Sequence, residues 1–252
     1  MLDLLAAVFM SALYATIIGV LISASPSRGV TKLALFAAAV AWLAIISAAA
    51  ALGGLAPGAL GPIPATLLPF AALSGLLFGG WYFFPQVRSA ILSVPLPALV
   101  ALNVGRVGGL FFLLLYWDGR VSAPFAPSAG VGDLITGALA FPLAILLALR
   151  FEIRHLWIAL WNAFGALDLI VAIVLGILSA QATPFRVFTE APGTVAMTTL
   201  PWTFVPSMLV PIYLFIHFAI AAKLKLRRSR RVINHREGEP DPRGAIDHQG
   251  AW

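Results

Sequence analysis

Residues 92–117 read LSVPLPALVALNVGRVGGLFFLLLYW. The stretch is long enough to cross a bilayer, because about 20 apolar residues in a helix span the hydrocarbon core. It holds one charge, Arg106, near its middle. A cation at that depth costs roughly 2.5–3.5 kcal/mol by insertion measurements unless it finds a partner. The segments around this one, and the groups able to neutralise its arginine, decide the architecture.

Hydrophobic residues make up 61% of the 252-residue chain and charged residues 10%. Soluble domains carry about a quarter charged residues, so the main solvent of this chain is lipid. The expected fold is all-α, a polytopic membrane protein with seven transmembrane helices. The spans fall at about 4–24, 31–53, 65–84, 92–117, 131–149, 156–179 and 201–223. They form a transmembrane domain over 1–223, followed by a basic tail over 224–252 that is expected to be disordered. The opening Met-Leu-Asp lacks a basic n-region and an obvious cleavage site, so the first span is read as a retained helix. Cysteine is absent, which removes disulfide and thiol chemistry.

Charge is distributed unevenly between the loops. Arg28, Lys32, Arg88, Arg150, Arg154 and eight basic residues from Lys223 onward fall on one side, whereas Arg120 and Arg186 fall on the other. The positive-inside rule places the N-terminus outside and the C-terminus in the cytoplasm. The basic tail is expected on anionic lipid headgroups, at about 1 kcal/mol per charge near the surface. A basic balance located in this way signals topology and no nucleic acid. The Ala/Leu/Gly/Arg-rich composition suggests a bacterial inner membrane. Trp81, Tyr82, Tyr116, Trp117, Trp157, Trp202 and Tyr213 mostly fall near span ends, where aromatic anchors sit.

Position along a span gives depth at about 1.5 Å per residue. Arg106 and Asp168 lie at mid-membrane in spans four and six. Asn103 sits one turn inward of Arg106 on the same face. Asp133 lies roughly 10 Å outward, near the start of span five, where the helix dipole alone would favour an acid. Asn162 and His217 share the inner half. The expected order from outside to inside is Asp133, then Arg106 with Asp168 and Asn103, then Asn162 with His217. Such a ladder reads either as a structural lock between helices or as a proton, ion or substrate path.

Two GxxxG patterns, Gly105/Gly109 and Gly75/Gly79, predict close helix contacts. Pro201, Pro206 and Pro211 predict an interrupted last span. No span carries an internal lysine for a retinal Schiff base, and one intramembrane histidine is too few for haem bridging. His217 with Asp168 or Asp133 is too sparse for a metal site, so no metal or cofactor is expected. No family resemblance is assigned. The leading expectation is a small-solute or proton-coupled transporter. In it Arg106 holds an anion, Asp168 is its counter-ion, Asp133 lines the outer mouth, and Asn162 with His217 forms the inner exit. Two alternatives stand beside it: an accessory or assembly subunit with a membrane-protein partner or a second copy of itself, and an intramembrane enzyme.

Overall fold

A helix satisfies its own backbone hydrogen bonds, so it is the element available to single segments in hydrocarbon. The computed structural model describes residues 1–26 and 28–237, and its regular elements are helical. They are α1 (Leu2–Ser23), α2 (Gly29–Ala51), α3 (Leu67–Phe83), α4 (Pro85–Ser93), α5 (Leu96–Leu102), α6 (Leu110–Trp117), α7 (Phe125–Ala148), α8 (His155–Leu178) and α9 (Val210–Glu237). Short 3-10 and π stretches lie between some of them. Among the described residues six helices are long and apolar enough to span a membrane. A seventh results if α3 and α4, bent by 100°, count as one span.

The bend has a local cause. Phe84 precedes Pro85, and clash with the proline ring drives it to extended backbone at φ −120°, ψ 103°. The chain restarts as α4, with proline in the first turn, where no helical N–H is required.

Span four is not one helix. α5 gives way to a 3-10 stretch, Asn103–Gly109, before α6 begins. Its sequence Asn-Val-Gly-Arg-Val-Gly-Gly consists of poor helix formers apart from the arginine, so nothing local resists the tighter winding. The last span is also irregular. A π-turn over Val205–Leu209 precedes α9, with Pro206 and Pro211 withholding N–H donors there. α9 runs on to Glu237, past the boundary at 223 that the sequence suggests. The rest of the tail lies outside the described residues. Span five starts earlier than the sequence suggests, at Phe125 rather than 131, because the helix admits Pro127 in its first turn.

An apolar core encloses a small polar cluster, and the exterior is apolar too. Asn103, Arg106, Thr136, Asn162 and His217 are buried, whereas Leu4, Phe36, Leu68, Phe141 and Leu167 face outward. The last span forms the centre and is mostly buried, whereas α2 lies at the edge and is largely exposed.

The loops segregate to two ends. At one, Arg120 and the Trp202 indole both donate to Asp3 Oδ1, at 2.8 and 2.7 Å. Ser122 and Gly193 stitch two loops together there through paired 3.0 Å bonds. At the other, Lys223 donates to the carbonyls of Leu92 and Val94, and Ser93 donates to the Ala24 carbonyl at 2.8 Å. Trp117, Trp157 and Tyr82 are exposed, as membrane anchors are. Trp81, Trp202 and Tyr213 are buried and serve the core instead.

Candidate functional site

Arg106 stands on the 3-10 stretch and faces α7, α8 and α9. Its side chain is 1% exposed, and four of its five N–H groups find acceptors. Nε donates to Asp133 Oδ1 at 2.6 Å on α7. Nη2 donates to Asp168 Oδ2 at 2.5 Å on α8. Nη1 donates to the Gly165 carbonyl at 2.9 Å and to His217 Nε2 at 3.0 Å on α9. The Tyr213 ring lies beneath the guanidinium, 5.9 Å from Cζ.

These contacts fix the histidine. A guanidinium can only donate, so Nε2 of His217 accepts and the ring proton sits on Nδ1. Nδ1 donates in turn to Asn162 Oδ1 at 2.9 Å. The amide nitrogen of Asn162 donates to the His217 carbonyl at 3.1 Å. Each donor meets an acceptor along the chain Arg106–His217–Asn162.

Missing side chains make room for the charged ones. A Cβ on Gly132 would land on Asp168 Oδ1, and one on Gly165 would lie 2.6 Å from the His217 ring. A Cβ on Gly109 would lie 2.5 Å from Asp133 Cβ. Glycine lets α7 and the 3-10 stretch approach until the arginine reaches the acid. The Gly105/Gly109 pattern therefore marks real close packing. Gly75 has open space about it, and Gly79 has only ordinary contact with Phe83, so the second GxxxG pattern does not mark a tight interface among the described residues.

The expected ladder is one cluster. Asp133 is about two turns inside α7 rather than at its start, so a helix-dipole role does not apply, since that effect fades within the first turn. The expected offset in depth is absent: Gly132, next to Asp133, abuts the Asp168 carboxylate, so the two acids lie level and one guanidinium reaches both. Asn103 is the exception. Its amide donates back to the Leu99 carbonyl at 3.0 Å, its Oδ1 is buried without a partner, and no hydrogen bond joins it to Arg106.

A cavity of about 100 Å³ ends on Asp133. A second, of about 40 Å³, borders Arg106 and also touches Asp133. The Asp133 side chain is 17% exposed, against 9% for Asp168 and 1% for Arg106, so Asp133 is the most open member of the trio.

The family described as Domain of unknown function (DUF8737) matches residues 63–225. The chain belongs to this family. No curated protein and no solved structure matches it. The DUF8737 match begins just before α3 and takes in the whole charged cluster, whereas α1 and α2 precede it. Within this DUF8737 region lie three participants that the sequence reading missed. The Gly165 carbonyl has no sequence signature, because every residue has one. Tyr213 reads as an interfacial anchor. Gly132 stands out only once Asp168 is known to face it.

Proposed function

We propose that this protein is a proton-coupled transporter of small solutes. Its N-terminus is outside and its C-terminus is in the cytoplasm of a bacterial inner membrane. Asp133 and Asp168 form its proton-carrying pair. The observation that carries the reading is the ratio of charges: two carboxylates share one guanidinium inside the protein. With both ionised, the trio has one negative charge in surplus. A buried charge without a partner is costly, and a proton removes it. Intramembrane ionisable groups mark ion and proton paths.

Arg106 has another role in this reading than to hold a substrate anion. Four of its five N–H donors are already engaged, and it positions the two acids and balances one of them. Asp133, which lines both cavities, is the group that exchanges protons and meets solute. Asn162 and His217 lock the inner side of the guanidinium. The loop end bearing Asp3, Arg120 and Arg186 is poor in basic residues, and the end bearing Lys32, Arg88, Arg150, Arg154 and Lys223 is rich in them, which supports the orientation.

The test is flux in proteoliposomes with an internal pH dye and an imposed solute gradient. Solute-driven pH change is expected with the natural protein and is expected to be lost in Asp133→Asn and Asp168→Asn. Coupled flux that persists in both folded variants overturns the assignment.

A further inference from the structure

The larger cavity has a chemistry of its own. Its wall rises from Asp133 along Ala129 and Phe125 of α7, and from Leu169 along α8 to Ala180. Asp133, Leu169 and Val210 are the deepest lining positions on their elements, so the acid lies at the floor. Phe70, Phe112 and Phe125 supply three aromatic rings. The remaining polar side chains, Thr66, Gln181, Thr194 and Thr198, come from the outer ends and loops. Among the described residues that line this space, Asp133 is the sole ionisable one, and no basic side chain faces in.

A carboxylate beneath phenyl rings selects a particular class of guest. An anion meets like charge and finds no donor from lysine or arginine. A neutral apolar molecule leaves the surplus negative charge of the two-acid, one-arginine trio uncompensated. A protonated amine pairs with the carboxylate, and aromatic faces attract it further. The volume limits the body of the guest: a cavity of about 150 Å³ takes the six carbons of benzene, so about 100 Å³ suits an alkyl body of about four or five carbons.

We infer that the cavity above Asp133 binds small alkylammonium cations, with the ammonium on the Asp133 carboxylate and the alkyl body among Phe70, Phe112 and Phe125. The inference deepens the transporter reading and rests on Asp133 being its solute-facing acid.

Three probes on one branched five-carbon skeleton test it by titration calorimetry on the full chain in nanodiscs, with the heat from empty discs subtracted. These are isoamylamine, isoamyl alcohol and isovalerate. Isoamylamine is expected to bind at least tenfold more tightly than the alcohol, and isovalerate not measurably. Asp133→Asn is expected to abolish the amine preference while the alcohol is unaffected. Equal or tighter binding of the alcohol or the acid to the natural protein overturns the inference, whether or not the variant folds. So does an amine preference that survives in folded Asp133→Asn. Amine selectivity without flux in liposomes supports the site and removes the transporter. Coupled flux without amine selectivity overturns the site alone.

Discussion

Arg106 Nη1 and His217 Nε2 lie 3.0 Å apart, a cation donating to the lone pair of an imidazole. The geometry admits one arrangement of protons, with His217 neutral and protonated on Nδ1, because Asn162 Oδ1 accepts on the far side. Nitrogen NMR of the selectively labelled histidine is therefore expected to show a protonated Nδ1 and a bare Nε2. Asn162→Leu removes the acceptor, is expected to cost about 1–3 kcal/mol, and should disturb that signature. An Nε2-protonated ring in the natural protein would contradict the hydrogen-bond chain.

Removing the cation is expected to be worse than removing the whole charged trio. Arg106→Met leaves two carboxylates facing each other in a buried site, with an expected loss of about 3–5 kcal/mol. Adding Asp133→Asn and Asp168→Asn to that variant is expected to recover part of the loss. Thermal unfolding in detergent, followed by circular dichroism, measures both. A triple variant less stable than Arg106→Met would show that the carboxylates are held by something other than the arginine.

The glycines give a paired comparison. Gly132→Ala puts a methyl group where the Asp168 carboxylate lies and is expected to cost about 1–3 kcal/mol through forced displacement. Gly75→Ala meets nothing within 4 Å and is expected to stay within about 0.5 kcal/mol of the natural protein. Equal melting temperatures for the two would rule out the close approach at Gly132.

The absence of cysteine makes orientation directly measurable. Val187→Cys lies at an exposed site on the Asp3 end, and Glu152→Cys at an exposed site on the opposite end. In intact bacterial cells a membrane-impermeant maleimide is expected to label the first and to reach the second only after lysis. The reverse pattern would invert the proposed topology.

The charged pair of Arg106 with Asp168 is legible from sequence, because a guanidinium at mid-span demands an acid at matching depth. Asp133 is legible as a polar residue but not as a partner. Its role depends on α7 beginning at Phe125, and the Pro-Ser-Ala-Gly composition there reads as loop. Asn103 shares a face with Arg106, as its spacing suggests and as 3-10 winding keeps, but its amide turns back to the Leu99 carbonyl, a choice that spacing does not reveal. The aromatic lining of the cavity escapes sequence altogether, because Phe70, Phe112 and Phe125 come from different helices and have no shared pattern. The bend at Phe84–Pro85 is signalled by the proline, but its 100° angle is not.

The tight winding in span four also shifts helical phase. Seven residues wound at about three per turn instead of about 3.6 advance the chain by about 140° more than an α-helix would. A wheel projected through residues 96–117 as a single rod is therefore rotated on one side of Arg106. Lipid-facing positions of α6 cannot be deduced from those of α5, and substitution scans of this region need a separate azimuth for each rod.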